Sequence, residues 1–226
     1  MMRIGIVGYG NLGKRVESGL AVNPDMELAA VFTRGDRSEM QLKSRNVPLC
    51  SLEDAFEMKD TIDVMINCCG TASDLPETRP RLAENFNLID SFHTHAMINA
   101  HFERVDRAAR KGSKLSIFSV GWDPGIFSPA MPNYFADHDT IVHLTSREDN
   151  AKDQGGLPHS GFVIHRGTMG RHGTNNQRME NCLKDDSNPE FTAAVLIATA
   201  RAAYRLGNRG EIGCRTVFNV VPASYL

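Results

Sequence analysis

Residues 4–13 read Ile4-Gly5-Ile6-Val7-Gly8-Tyr9-Gly10-Asn11-Leu12-Gly13, and this stretch decides the fold of the 226-residue chain. An apolar run typical of a buried strand leads into Gly-x-Gly-x-x-Gly, and helix-forming residues follow. Gly8 allows the tight turn out of the strand, Gly10 lets main chain approach a pyrophosphate, and Gly13 permits close packing of helix on strand. Because the helix N-terminus then faces the phosphates, the stretch predicts a dinucleotide site. The expected cofactor-binding residues are Gly8, Tyr9, Gly10, Asn11, Leu12 and Gly13.

The first half of the chain alternates strand and helix patterns, which is typical of a parallel sheet covered on both faces. Apolar runs at 28–32, 47–49, 63–69, 87–90 and 114–120 read as strands, and 80–86 and 100–111 read as helices. The carboxyl ends of parallel strands line one crevice, where residues 8–13, 33–34, 70–71, 91–95 and 121–125 should converge. The pattern predicts an α/β chain in which residues 1–128 form a Rossmann-like domain.

A different pattern begins after Ser128. Residues 139–145, 160–164 and 178–184 read as strands, which predicts a second, α+β domain over 129–187. Asn188-Pro189-Glu190 is a helix start signal, and residues 189–206 carry an apolar face at helical spacing. We therefore expect residues 188–226 to return to the first domain as a helix and tail.

Composition restricts the classes of function. Hydrophobic residues make up 41% and charged residues 23% of the chain, as in ordinary globular proteins. A formal net charge of −2 without a dense Lys/Arg cluster argues against nucleic-acid binding, and no apolar run predicts a membrane span. Met1-Met2-Arg3 runs directly into the first strand and leaves no room for a secretion signal, so we expect a cytoplasmic protein.

The residues after the second strand favour NADP over NAD. An NAD site places a carboxylate about 20 residues beyond the glycine motif, whereas a 2′-phosphate requires cations and hydroxyls there. This chain has Thr33 and Arg34 at that position, and Arg37 lies within loop reach. Arg34 can bind a phosphate through two parallel hydrogen bonds. Two alternatives stay open: the three residues are ordinary surface residues, or Asp36 makes an NAD-type contact.

A second signature, Gly121-Trp122-Asp123-Pro124-Gly125, gives the chain a family resemblance. Together with residues 8–13 it resembles meso-diaminopimelate dehydrogenase, and further segments look like that family in the same order. These segments are Pro24 to Leu28, Thr71 to Pro76, Leu157 to His159, Asn188 to Ala193 and Arg201 to Arg205. The similarity covers nearly the whole chain.

The resemblance implies an NADP-dependent, reversible oxidative deamination at the D-configured centre of meso-2,6-diaminopimelate, giving L-2-amino-6-oxopimelate and ammonia. Such enzymes serve bacterial lysine and cell-wall precursor synthesis, usually as homodimers with a Rossmann-like domain and a substrate/dimerisation domain. Carried over by position, Trp122 and Asp123 border the reacting amino acid, and His159 and Asn188 reach its distal end. The residues expected beside the nicotinamide are Gly70, Thr71 and Ala72.

Three features depart from the family pattern. The family continues after its Trp-Asp-Pro-Gly strand into a long stretch with a Gln-Gly-His-Ser-Asp motif and with an arginine and a threonine for the substrate carboxylate. Here Ser128 leads almost directly to Met131, so that internal part of the second domain is absent and about three strands remain, near the minimum for an independent sheet. His93 replaces a substrate-contacting aspartate, and Ser160 replaces the first glycine of Pro-His-Gly-Gly.

Amine oxidation requires a substrate whose Cα hydrogen points at the nicotinamide, and a group that moves protons. Asp123 can bind the substrate ammonium and then accept a proton or orient water; stabilising the Pro124-Gly125 turn is its alternative role. His95 is the better acid–base histidine because histidine titrates near neutral pH, although an ordinary loop histidine fits equally well. Trp122 either walls the substrate pocket or fills the core.

His93 and His95 are two residues apart, so in an extended loop they can face the same side. A third metal ligand at characteristic spacing is missing, and we expect no metal site. His93 offers the substrate ammonium no negative charge, so we expect amino-acid binding to be weakened.

Two other functions remain open on the sequence alone. One is a non-catalytic NADP(H)-binding relative that kept the cofactor half of the family. The other is a small NADP-dependent reductase that acts on a different amino or imino acid. We expect the non-catalytic relative to bind NADPH without turnover. Assays with a panel of amino and imino acids would identify the reductase.

Overall fold

A seven-stranded parallel sheet forms the centre of the molecule. The computed structural model describes residues 1–38, 40–69, 75–91, 98–121 and 159–226. In these ranges the strands are β1 (Met2–Val7), β2 (Met26–Thr33), β3 (Leu49–Ser51), β4 (Val64–Asn67), β5 (Leu88–Asp90), β6 (Leu115–Phe118), β7 (His159–Met169), β8 (Asn175–Asp185) and β9 (Gly213–Thr216). The large sheet has the order β3-β2-β1-β4-β5-β6-β9, with every neighbouring pair parallel.

Helices cover both faces of this sheet. They are α1 (Asn11–Leu20), α2 (Asp54–Glu57), α3 (Leu75–Asn85), α4 (Ile98–Lys111) and α5 (Asn188–Asn208). Alternate strand residues serve the two sides: Val64 and Ile66 of β4 pack in the core under α1 and α5, whereas Met65 packs in the core under α3 and α4. Within the described ranges, no helix has both the length and the apolar character needed to cross a membrane.

Helices α1 and α5 run side by side in the same direction. Arg15 Nε lies 2.8 Å from Glu190 Oε1 near their starts, and Arg201 Nε lies 2.7 Å from Asp25 Oδ2 just beyond the end of α1. Between these ion pairs the helices approach closely at Gly19. Because α1 begins at the carboxyl edge of the sheet, α5 begins at that edge too.

Strands β7 and β8 form a separate antiparallel pair. Their register runs from His159 opposite Asp185 to Met169 opposite Asn175. The connecting turn uses left-handed backbone at Gly170, His172 and Gly173. The strands predicted at 160–164 and 178–184 both fall within this pair, and the strand predicted at 139–145 lies outside the described residues.

Three elements differ from the sequence prediction. Strand β3 runs over Leu49–Ser51 rather than over the predicted 47–49, and it pairs with the end of β2 from Val31 to Thr33. Strand β9 was not predicted, because Gly213-Cys214-Arg215-Thr216 contains no apolar run. It is fixed by hydrogen bonds instead: Gly213 N donates to Lys114 O (2.8 Å) and Cys214 N donates to Asp106 Oδ1 (2.7 Å). Helix α3 begins at Leu75 rather than at the predicted Pro80, so that proline lies inside the helix.

Candidate cofactor and substrate site

The glycine-rich turn between β1 and α1 is held by main-chain bonds to both neighbouring strands. Gly8 N donates to Phe32 O (2.8 Å), and Cys68 N donates to Val7 O (2.7 Å). Gly8 has φ +89°, a left-handed conformation that suits glycine, and a Cβ there would lie 3.0 Å from Cys69 N. The turn is thereby fixed at the edge where β1, β2 and β4 end.

Gly10 and Gly13 serve different purposes in this turn. A Cβ on Gly13 would be 2.1 Å from Gly8 O, so only glycine lets α1 pack this closely on the turn. A Cβ on Gly10 would meet no atom of the described residues within 4 Å. Gly10 is the N-cap of α1, and no side chain in the described part of the chain caps the helix there. Open space in front of uncapped N–H groups at a helix N-terminus fits a pyrophosphate.

The Tyr9 side chain points away from this open space. It is 5% exposed, and its hydroxyl donates a short hydrogen bond to Glu17 Oε2 inside the core under α1. Burial, followed by this bond, raises the pKa of Tyr9 to about 12. Burial also acts to raise the pKa of Glu17, but the hydrogen bonds from Tyr9 and Ser44 outweigh it and hold that pKa below its usual value. Main chain is therefore the part of Tyr9 that is available to a cofactor.

Glu17 also attaches the loop that follows β2 to helix α1. Its Oε1 accepts a hydrogen bond from Ser44 N (2.7 Å), and Lys43 Nζ donates to Ser18 Oγ (3.0 Å). Glu17 was not among the residues predicted from the sequence. The only available signal was a carboxylate on the face of α1 that also carries the buried Val16 and Leu20.

The predicted phosphate-binding residues lie where β2 ends. Arg34 and Arg37 are exposed, and Arg34 borders a cavity of about 210 Å³ that Thr78 and Arg81 also line. Thr33 is 7% exposed, and its Oγ1 accepts a hydrogen bond from Gly35 N (3.0 Å). Asp36 Oδ1 accepts a hydrogen bond from Ser38 N (2.9 Å), which lowers the pKa of Asp36 and engages the carboxylate in its own turn.

The carboxyl ends of β4, β5 and β6 meet beside the glycine turn. Asn67 pairs in register with both Val7 and Asp90, and Val120 N donates to Asp90 O (2.8 Å). The segment after Asp90 leads to the predicted His93 and His95, and the segment after Val120 leads to Trp122 and Asp123. Those four residues lie outside the described residues, as do Gly70, Thr71 and Ala72.

Two predicted substrate residues lie on described backbone. His159 is the first residue of β7, opposite Asp185. Asn188 is the first residue of α5, and its Oδ1 accepts a hydrogen bond from Thr192 Oγ1 (3.1 Å). Because α5 begins at the carboxyl edge, Asn188 lies at the same edge as the glycine turn. Among the residues that the structure describes, no three His, Cys, Asp or Glu side chains form a group able to hold a metal ion.

Comparison with known proteins identifies the family. A model described as the diaminopimelic acid dehydrogenase C-terminal domain matches residues 129–187. The meso-diaminopimelate D-dehydrogenase of Ureibacillus thermosphaericus is 37% identical, over 97% of this chain and 94% of that protein. The chain belongs to the meso-diaminopimelate dehydrogenase family. The resemblance predicted from residues 8–13 and 121–125 is thereby confirmed, as is its enzyme class of amino-acid dehydrogenase.

Solved structures agree with this membership. A mutant meso-diaminopimelate dehydrogenase from Clostridium tetani E88, solved with DAP, is 32% identical with a TM-score of 0.81, over 100% of this chain and 96% of that one. An engineered D-amino acid dehydrogenase bound to NADP+ is 26% identical with a TM-score of 0.82, over the same shares. The α/β Rossmann-like class with a second, shortened α+β part is confirmed.

The comparison also bears on the predicted internal shortening. The alignment with the Ureibacillus meso-diaminopimelate dehydrogenase runs over 308 positions, more than the 226 residues of this chain. Members of the family therefore carry residues that have no counterpart here.

Proposed function

We propose that this chain catalyses the NADP-dependent, reversible oxidative deamination of meso-2,6-diaminopimelate to L-2-amino-6-oxopimelate and ammonia. The observation that carries the proposal is the open, uncapped glycine turn at Gly10, in a chain that belongs to the meso-diaminopimelate dehydrogenase family. The same membership disfavours a reductase of different specificity. A non-catalytic relative would bind the cofactor equally well, so turnover has to decide between the two.

The residues of the glycine turn fit an NADP molecule. Main-chain N–H groups between Gly8 and Gly13 hold the pyrophosphate, and Arg34 and Arg37 bind the 2′-phosphate with the Thr33 hydroxyl beside them. Asp36 does not compete, because its carboxylate is engaged with Ser38. The residues assigned to the nicotinamide are Gly70, Thr71 and Ala72. When bound, NADP+ accepts the hydride from the substrate Cα.

The substrate lies between the carboxyl edge of the sheet and the second domain. Asp123 binds the reacting ammonium and accepts its proton, Trp122 walls the pocket, and His95 moves a proton to or from the attacking water. His93 contacts the substrate near the same centre without supplying a negative charge. His159 and Asn188 reach the distal end of the amino acid, which the position of Asn188 at the start of α5 supports.

We also propose three parts of the chain: a cofactor domain over 1–128, a substrate/dimerisation domain over 129–187, and a returning segment over 188–226. The family-model match over 129–187 supports the middle part, and the packing of α5 on the first sheet supports the last. A cytoplasmic homodimer fits these assignments. Strands β7 and β8 pair only with each other among the described strands, which leaves an outer edge on each for a second copy.

The test is reductive amination with purified protein, NADPH, ammonia and L-2-amino-6-oxopimelate, followed as loss of NADPH absorbance. Wild-type protein should consume NADPH and prefer it to NADH. The variant Asp123→Asn should bind NADPH normally but lose at least about 100-fold in kcat. NADPH binding without consumption by the wild type would reject catalysis and leave the non-catalytic relative.

A further inference from the structure

A buried ion pair lies beneath the edge where the predicted substrate loops begin. Arg79 of α3 and Asp90 of β5 are both 0% exposed, in a core that is otherwise largely apolar, and Arg79 Nε pairs with Asp90 Oδ2. Arg79 Nη2 also donates to Ser116 Oγ of β6 (3.1 Å). Its guanidinium carbon stacks 4.2 Å from the centre of the Phe118 ring. Arg79 thereby joins α3 to the two strands β5 and β6.

Burial and pairing have opposite effects on Arg79. Burial lowers the pKa of Arg79, and the nearby Asp90 carboxylate opposes that shift. Burial, followed by the nearby Arg79 guanidinium, also lowers the pKa of the neighbouring His101 to about 4. Desolvating two ions is costly, and well-packed apolar residues often stabilise a fold equally well. Stability alone is therefore a weak explanation of the pair.

Asp90 instead controls where two chain segments begin. Its Oδ1 accepts a hydrogen bond from Ser119 N (3.4 Å), and its carbonyl oxygen accepts one from Val120 N (2.8 Å). Ser119 has φ +54°, a left-handed conformation that a non-glycine residue adopts only when its surroundings hold it. The chain leaves β5 directly after Asp90 and leaves β6 at Ser119. A single residue therefore ties the two strand ends together, its carboxylate through Ser119 and its main-chain carbonyl through Val120.

We propose that the Arg79–Asp90 pair fixes the carboxyl ends of β5 and β6, from which the chain continues to the residues proposed to handle the substrate. Arg79 fixes the Asp90 carboxylate, and that carboxylate holds Ser119 in the left-handed turn that precedes Trp122 and Asp123 in the sequence. Asp90 and Arg79 are positioning residues, since they act through the ends of these strands rather than on the substrate. The inference rests on the proposed function, because that function assigns the reaction to residues following β5 and β6.

Two double variants separate positioning from bulk stability. Both Arg79→Met/Asp90→Asn and Arg79→Met/Asp90→Leu remove the two buried charges together, which avoids leaving one ion unpaired. The first keeps an acceptor for Ser119 N at position 90, and the second does not. Both leave the glycine turn untouched, so NADPH affinity serves as the internal control.

The Asn-containing double variant should keep kcat within about threefold of wild type, and the Leu-containing one should lose at least about tenfold, because a small misplacement of reacting groups is costly. NADPH Kd should change less than about twofold in both. Equal kcat values for the two variants would overturn the proposal. So would a loss of kcat that follows the melting temperature rather than the acceptor.

Amide hydrogen exchange on wild-type protein tests the same idea without turnover. The Ser119 amide, which bonds the Asp90 carboxylate, should exchange at least about 100-fold more slowly than the amides of the β7–β8 turn at 170–174. Ser119 exchange as fast as in that turn would overturn the proposal even if neither double variant folds. If the wild type shows no turnover, the proposed function fails, and slow exchange of Ser119 would still support its bond to the Asp90 carboxylate.

Discussion

Gly13 lies so close to Gly8 that a Cβ atom at position 13 would be 2.1 Å from the Gly8 carbonyl oxygen. Three residues earlier the situation is reversed, since a Cβ on Gly10 has no neighbour within 4 Å among the residues that the structure describes. The two glycines therefore meet different physical demands. Gly13 is required by the packing of the protein itself, and Gly10 leaves room for a bound phosphate.

This difference predicts opposite outcomes for two valine substitutions. Gly10→Val should leave the free energy of unfolding within about 1 kcal/mol of wild type, since the extended backbone accepts a side chain. It should weaken NADPH binding at least about tenfold by filling the phosphate space. Gly13→Val should lose about 3 kcal/mol of stability by overpacking. Urea unfolding and titration of the fluorescence of Trp122, the single tryptophan, measure both effects. Wild-type NADPH affinity in Gly10→Val would contradict the assignment.

Arg34 should determine the preference for NADPH over NADH. Loss of a charge-assisted bond to phosphate should raise the NADPH Kd of Arg34→Ala by about tenfold or more, while NADH affinity changes little. Arg209→Ala removes an exposed arginine beyond the end of α5 and is the matched control. Isothermal titration with both cofactors gives the ratio. A parallel loss of NADH affinity would indicate general electrostatic attraction rather than recognition of the 2′-phosphate.

The buried hydrogen bond from Tyr9 to Glu17 should make the free energy of unfolding depend on pH. The folded state raises the pKa of Tyr9 to about 12, so the folded protein holds this proton more tightly than the unfolded chain does. Its contribution is complete below the unfolded pKa of about 10 and is lost as pH rises towards about 12. The stability difference between wild type and Tyr9→Phe should therefore shrink by about 1 kcal/mol between pH 10 and pH 11.

Tyr204→Phe, on α5, is the control for that measurement because Tyr204 makes no bond to Glu17. Urea unfolding of the three proteins across this pH range provides the comparison. A constant difference between wild type and Tyr9→Phe would show that Tyr9 titrates equally in both states.

The close approach of α1 and α5 predicts non-additive mutations. A Cβ on Gly19 would lie 2.5 Å from Ile197 Cδ1, and Ile197 is 3% exposed. Gly19→Ala should therefore destabilise by about 1 kcal/mol, despite the better helix propensity of alanine. Ile197→Val removes the clashing methyl group, so the double variant should be more stable than the sum of the two single changes predicts. Simple additivity in thermal or urea unfolding would mean that the helices are farther apart.

Restoring a carboxylate at position 93 should improve substrate binding. The proposed function assigns position 93 to the substrate ammonium, where the family resemblance implies an aspartate, and a charge-assisted bond is worth about 1.5–3 kcal/mol. His93→Asp should lower the KM for meso-diaminopimelate about tenfold with little change in NADPH affinity. Steady-state kinetics with each substrate varied in turn measures this. An unchanged KM would place His93 away from the substrate.

The fold was largely predictable because its strands are apolar runs between turns. Ile4 to Val7 and Val64 to Asn67 are buried from end to end, so their sequences alone mark them as central strands. Strand β9 escaped prediction because it contains Arg215 and lies at the sheet edge. Its position depends on Asp106, which is distant in sequence.

The polar part of the site was less predictable. Arg79 lies in the polar stretch Thr78-Arg79-Pro80-Arg81, yet it is completely buried because Asp90 and Ser116 supply partners across the core. Glu17 is hidden for the same reason, since its partners Tyr9 and Ser44 come from separate segments. A local sequence pattern predicts which segments are buried. It does not show which distant polar group pairs with a charge that is buried among them.

The direction of α5 has a consequence for how this chain can change in length. The chain leaves the central sheet after β6 and returns to it at Asn188, the first residue of α5. Both points lie at the carboxyl edge of the sheet. The hydrogen bonds between β6 and β9 can form whatever the length of the chain between β6 and Asn188. Deleting or inserting residues in that segment therefore changes the stability of the parallel sheet only through loop-closure entropy, which grows slowly with loop length. Evolution can therefore trim or extend the substrate-facing part of such a protein while its nucleotide-binding platform stays intact.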